Sequence, residues 1–268
     1  MKNNKYKILV LADLKKSAST ILKSSVSLAK MIDGEISLFH VKKHIDIVKR
    51  DNQFSAMRTL NEEHNNIKKA IVTLVNDTSK TYDVKVTGNY AFGKVKEEIQ
   101  KQIKLYNPDI IVLGQRDPAS FKLIGDSITR FILKKFNGII MIASNENALV
   151  PNEKMTLGVL NGSNKIFDTK LSKDLITHTT TPLKSFKIVN SQESDMNPLD
   201  LNEEKMIEYV FEQNDNAITT LSSYLLKNNI NLLCVDRANT KTKNKKNTNT
   251  PLKEVVNKLN VSLLVSEA

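Results

Sequence analysis

Apolar positions along this chain follow two alternating rhythms. Residues 6–12 form a short apolar run, long enough for a buried strand and too short for a helix. Ala18, Ile21, Leu22, Ser25, Val26, Leu28, Ala29 and Ile32 then recur at helical spacing, and Gly34 is placed to end that helix. Further strands are predicted over 35–41, 83–90, 109–114 and 139–143. Helices are predicted over 52–78, 93–106 and, after a loop, within 116–136. Strands alternate with helices, and several strands are apolar on both faces. That combination implies a parallel sheet covered by helices on both sides.

The plan then repeats. Asn107-Pro-Asp-Ile-Ile-Val-Leu-Gly-Gln-Arg, a polar loop, a short helix and the run from Gly138 return as Asn229-Ile-Asn-Leu-Leu-Cys-Val-Asp-Arg, a polar loop, a helix and the run from Val261. A repeat of this length signals two copies of one domain. The second copy is more eroded, with strands predicted over 155–160, 183–189, 206–211, 231–235 and 262–265. Its helices are predicted over 165–178, 216–228 and 251–259. Residues 191–204 contain Pro198 and many acids and read as a loop with at most one helical turn. The expected fold class is α/β, with two tandem Rossmann-like domains at 1–146 and 151–268. Each is expected to hold a five-stranded, mostly parallel sheet with helices on both faces. A linker over 145–152 carries Pro151.

Composition narrows the setting. The 268 residues fit two domains of roughly 130 residues, each able to bury a core. The N-terminus runs straight into a strand pattern, which leaves no room for a signal peptide. No apolar run approaches the ~20 residues of a membrane span, so no membrane partner is expected. The single Cys234 lies in an apolar run and reads as an inert core thiol, which suits a reducing cytoplasm. The net charge of +11 is uneven: residues 1–150 carry +10 and residues 151–268 carry +1. The lysines are scattered among acids at helical spacing, without the aromatic interleaving of a single-strand platform. One dense run, Lys241 to Lys246, lies in an Asn/Thr-rich loop. The charge therefore reads as solubility plus weak attraction for polyanions, not as specific nucleic-acid recognition.

In an open parallel sheet, ligands bind beyond the carboxyl ends of the strands. Those ends carry Asp13, then Val41-Lys42-Lys43, Gly93, and Gly114-Gln-Arg-Asp. The last helix of the first copy opens with Gly125-Asp-Ser-Ile-Thr, and a helix N-terminus can hold a phosphate on backbone N–H groups.

Taken in order, Ile8-Leu-Val-Leu-Ala-Asp, Leu38-Phe-His-Val, the Gly93 turn, Pro108-Asp-Ile-Ile-Val-Leu-Gly and Asp126-Ser-Ile-Thr-Arg-Phe-Ile-Leu resemble the universal stress protein family in its tandem two-domain form. The resemblance spans the first copy nearly end to end and the second weakly. It implies the Rossmann-like fold of adenine nucleotide alpha hydrolases and cytoplasmic stress response. It also implies pairing of the two copies about a pseudo-two-fold axis through their last strands, and it leaves a further homodimer and an unknown protein partner open.

Nucleotide-binding members of that family carry Gly-x2-Gly-x9-Gly-Ser/Thr around the ATP phosphates and an Asp after the first strand for adenine and ribose. By that resemblance Asp13 stands at the Asp position with Leu11 and Ala12 beside it. Val41 stands where backbone meets the base, and Leu113 and Gly114 open the glycine motif. Arg116 lies within the motif, and Asp126, Ser127 and Ile128 stand at its far end. Asp117 replaces the second glycine and Asp126 the third, with one residue fewer between them. Glycine is needed where backbone must approach phosphate closely. Each carboxylate within ~5 Å of a phosphate opposes binding by roughly 1 kcal/mol or more at intermediate dielectric, an effect that Arg116 can offset in part. The expectation is therefore a degenerate site, with no required cofactor and with ATP, AMP or adenosine as the candidate ligands. A structural reading fits the same residues, with Asp126 as a helix N-cap and Asp117 opening a turn before Pro118.

The second copy is further from binding, because Asn161 stands in place of the Asp and Val235 is followed by Asp236 instead of glycine. His40 matches a His common in the family and reads as structural. His44, His64 and His178 show no metal-ligand spacing. No nucleophile elbow or Cys/His pair appears, so no catalytic constellation is expected.

Overall fold

The computed structural model describes residues 6–15, 17–43, 53–115, 124–161, 170–189, 206–237 and 252–266. The first half runs β1 (Tyr6–Leu11), α1 (Ser17–Ile32), β2 (Gly34–Lys42), α2 (Gln53–Tyr82), β3 (Val86–Phe92), α3 (Val95–Tyr106), β4 (Ile110–Gly114), α4 (Ile124–Lys135) and β5 (Ile139–Ala143). The second half runs β6 (Leu157–Leu160), α5 (Lys170–Ile176), β7 (Leu183–Val189), β8 (Met206–Glu212), α6 (Ala217–Lys227), β9 (Leu232–Val235), α7 (Leu252–Lys258) and β10 (Ser262–Val265). This is the expected α/β architecture of two tandem Rossmann-like halves, each with five parallel strands.

The two sheets are one. Strand order is β3-β2-β1-β4-β5-β10-β9-β6-β7-β8, and the pairing of β5 with β10 is antiparallel while the pairing inside each half is parallel. Across this seam Met141 pairs with Leu264, Ile142 with Leu263 and Ile140 with Val265. Central strands of such a sheet are covered on both faces, which explains their unbroken apolar runs: β5, β6, β9 and β10 are buried at every position. One face packs on α1, α2 and α5 through Leu22, Ile67, Ile71 and Leu171. The other packs on α3, α4, α6 and α7 through Ile99, Ile132, Leu221 and Val255.

Several boundaries differ from the sequence reading, and the reason recurs. Helix α1 ends at Ile32, the next residue Asp33 takes a left-handed φ of 56°, and Gly34 is instead the first residue of β2. Asp83, Asn107 and Asn229 likewise take left-handed φ, at 51°, 49° and 51°. Asn and Asp tolerate this region because their short polar side chains bond locally. Consequently α2 continues to Tyr82 and β3 starts at Val86. Met155 forms only an isolated bridge to Thr179, so β6 begins at Leu157. Of the helix expected over 165–178, Lys170–Ile176 is described. The loop expected over 191–204 and the run Lys241 to Lys246 lie outside the described residues.

The linker docks on α1. Leu149 N–H donates to Ser24 Oγ at 3.1 Å, Ser27 Oγ donates to the Val150 carbonyl at 3.2 Å, and Lys30 Nζ reaches Asn152 Oδ1 at 3.1 Å. Ser24, Ser25 and Ser27 are buried, and their small side chains allow this close approach.

Strand register relates the halves residue by residue. Leu11 pairs with Phe39 and Leu113, and Leu160 pairs with Phe186 and Val235. Ala12 N–H donates to the Phe39 carbonyl at 3.3 Å, and Asn161 N–H donates to the Phe186 carbonyl at 2.8 Å. Ala12 and Asn161 are therefore counterparts, as are Val41 and Ile188, Gly114 and Asp236, and Gln115 and Arg237. This corrects the sequence reading by one position: Asn161 answers to Ala12, and the counterpart of Asp13 is Gly162, outside the described residues.

Candidate functional site

Because β2, β1 and β4 are adjacent and parallel, their carboxyl ends lie side by side and bring Val41, Ala12–Asp13 and Gly114 together. Leu11 and Leu113 are buried beneath this end as part of the core. Ile128 is half-buried against the same core from α4. Arg116 and Asp117 lie outside the described residues. Asp126 and Ser127 fall in the first turn of α4, which opens at Ile124. The N-cap reading of Asp126 is thereby corrected, since the helix starts before it.

Asp13 and its neighbour form a tight local turn. The Asp13 carboxylate accepts the Lys15 N–H at 3.1 Å across Leu14, whose φ is 57°. Among the described residues Leu14 is the one left-handed position that is neither Asn, Asp nor Gly. Left-handed backbone costs a residue with a Cβ about 1–2 kcal/mol, and such strain concentrates where a structure holds a site. Lys15 Nζ also stands 3.4 Å from Asp13, but both side chains are mostly exposed, so this pair is weak and leaves the carboxylate able to accept another donor.

His40 braces the same end from β2. A carbonyl can only accept, so His40 Nδ1 carries the hydrogen it donates to the Ala12 oxygen at 2.9 Å. Burial lowers the His40 pKa below its ordinary 6.5, partly offset by that hydrogen bond and by Asp13, so the ring is neutral at pH 7. The structural reading of His40 gains a specific role in holding the strand end that carries Asp13.

The halves differ at one backbone donor. In the second half, Asn161 takes φ 45° and its Oδ1 accepts the Ile188 N–H at 2.9 Å. The side chain thus fills the gap beyond the end of β6. In the first half the counterpart is Ala12, which has no side-chain acceptor to offer the Val41 amide. Sequence alone does not expose this contrast, because register is needed to match Asn161 with Ala12.

Gly114 has a packing reason of its own. A Cβ there would lie 2.4 Å from Ile21 Cδ1, so glycine lets α1 cross close over the end of β4. Its presence is explained without a phosphate. Around the site stand Lys42, paired with Glu63 at 3.2 Å, and Lys94, paired with Glu97 at 3.1 Å. Among the described residues no cluster of three or more His, Cys, Asp or Glu could hold a metal ion. The Cys234 thiol is buried, which pushes its pKa up to about 12 and leaves it protonated.

Residues 6–142, just over half of the chain, match the model of the universal stress protein family. The chain belongs to the universal stress protein family. A universal stress protein from Archaeoglobus fulgidus shares its fold over nearly the whole length, with a TM-score of 0.68 at 13% identity over 97% of this chain and 98% of that one. A protein of unknown function from Pseudomonas aeruginosa aligns with a TM-score of 0.54 at 12% identity, over 97% of this chain and 92% of that one. No curated protein matches the chain in sequence. Among the described residues of this universal stress protein, no helix is long and apolar enough to cross a membrane.

Proposed function

We propose that this universal stress protein is a non-enzymatic, cytoplasmic stress-response protein whose first half keeps a weak site for a nucleoside-like ligand and whose second half does not. The observation that carries the reading is the contrast between Ala12 and Asn161. At the end of β1 a methyl group leaves the Val41 amide and the Asp13 carboxylate available to a planar base and its ribose. At the end of β6 the protein's own amide oxygen occupies the equivalent donor. Asp117 and Asp126 at the glycine positions oppose a polyphosphate, so adenosine or AMP suits the first half better than ATP. No required cofactor enters this reading, and action through an unknown protein partner is compatible with it.

Titration calorimetry with adenosine, AMP and ATP tests the proposal. Weak adenosine or AMP binding, lost in Asp13→Ala, is the expected result. Tight stoichiometric ATP binding or ATP turnover would overturn it. That outcome belongs to a second reading, an ATP- or AMP-binding switch, for which Lys15, Lys42 and Lys94, each paired with a nearby acid, are the cations close to the ends of β1, β2 and β3.

A further inference from the structure

The residue that follows the fourth strand of each half leaves its own half. Gln115, after β4, donates through Nε2 to the carbonyl of Leu259, the residue just past α7. Its counterpart Arg237, after β9, donates through Nη1 to the Phe136 carbonyl at 2.7 Å and through Nη2 to the Gly138 carbonyl at 2.9 Å. Phe136 stands just past α4 and is itself the counterpart of Leu259. Each lies three residues before its seam strand, and each N–H closes the last turn of its helix, to Ile132 at 2.9 Å and to Val255 at 3.1 Å. The exchange is therefore reciprocal about the seam.

The acceptors suit the donors. The last carbonyls of a helix lack internal partners and carry the negative end of its dipole, which is where a cation or amide donor is stabilised. Arg237 is 3% exposed, so its guanidinium sits inside the protein against those carbonyls. On the first-half side, the Gln115 N–H donates to the Ala143 carbonyl at 2.7 Å and its own carbonyl accepts Asn145 Nδ2 at 2.7 Å. The turn directly after Gly114 is thus fixed by β5, by the linker and by the other half. Beside it, Ser144 N–H donates to Ser262 Oγ at 3.1 Å and Asn260 Nδ2 donates to Glu146 Oε2 at 2.6 Å, which extends the polar bridging along the seam.

We propose that this reciprocal clamp couples the strand-end turn of each half to the last helix of the other, with Gln115 as the positioning residue for the first-half site. Rearrangement at Gly114–Gln115 is then felt in α7, more than a hundred residues away in sequence, and rearrangement at Arg237 is felt in α4. A ligand at the first-half site would use this connection, a consequence that rests on the ligand reading above. The clamp itself does not.

Hydrogen–deuterium exchange on the full-length, ligand-free protein decides the matter. Gln115→Ala is expected to speed exchange in 252–260 by about tenfold, the loss of roughly one net hydrogen bond, while 128–138 of its own half changes less. Arg237→Gln is expected to do the reverse, loosening 128–138 more than 252–260. Effects confined to the half that carries the substitution, or none in the opposite helix, would overturn the clamp. Gln115 is only partly buried, so its variant decides alone if Arg237→Gln does not fold. With adenosine added to the wild type, binding without altered exchange in 252–260 would refute transmission. Failure of adenosine to bind would count against the ligand site and leave the two variants to decide the coupling.

Discussion

Replacing Asn161 separates two effects that its position combines. Its Oδ1 accepts the Ile188 N–H at 2.9 Å, and its backbone sits at φ 45°. Removing the acceptor strands a donor, at about 1–3 kcal/mol; the bond is only partly buried, so the lower half of that range applies, about 1–2 kcal/mol. Alanine adds about 1 kcal/mol for left-handed backbone. Asn161→Ala should therefore cost about 2–3 kcal/mol, while Asn161→Asp keeps both the acceptor and the tolerance for positive φ and should stay within about 0.5 kcal/mol of wild type. Unfolding entropy of ~2.1 cal/mol/K per residue, over 268 residues, converts each kcal/mol into about 2 °C. Calorimetry should then show Tm lowered by about 4–6 °C for Asn161→Ala and by about 1 °C for Asn161→Asp. Asn161→Gly, which relieves φ but loses the acceptor, should fall between them. If Asn161→Asp proves as damaging as Asn161→Ala, the side-chain oxygen is not what fills this end of the sheet.

The converse change, Ala12→Asn, should place an acceptor against the Val41 amide and weaken adenosine binding at least tenfold with little loss of stability; unchanged binding in calorimetry would refute base recognition there. His40 has a folded pKa below 6.5, so its contribution is complete above about pH 6.5 and is lost as pH falls through the lowered value. His40→Asn should flatten that part of the stability–pH profile measured by urea unfolding, and an unchanged slope would contradict the assignment. Gly158→Ala should destabilise by about 1–3 kcal/mol, because a Cβ would lie 2.7 Å from Phe186 Cε2 and 3.0 Å from Leu233 Cδ1, and a wild-type Tm would show that this packing yields freely.

Strand and helix order was legible because periodicity reports burial directly, and fully covered parallel strands such as β4 and β5 read as unbroken apolar runs. Helix ends were less legible. This chain turns left-handed at Asp33, Asp83 and Asn107, where the usual glycine signal is missing, and the nearby Gly34 lies one residue past the stop, in β2. At the candidate site, the strand-end residues Asp13, Val41 and Gly114 are legible from sequence because topology brings strand ends together, while Ala12 is named through the family resemblance. What escaped was relational. The His40–Ala12 brace, the close crossing of Ile21 over Gly114 and the match of Asn161 to Ala12 depend on register and packing, which a linear pattern does not encode. The bond from Gln115 to Leu259 spans 144 residues and leaves no local trace.

A pair of identical subunits must present the same side chain at both ends of an isologous contact. Here one polypeptide supplies both sides, so the position that is a neutral amide at Gln115 can be a guanidinium at Arg237. Each side of the seam is free to be tuned separately. The short tether anchored to Ser24 and Ser27 also makes the association independent of dilution, since the partner is always present at high effective concentration.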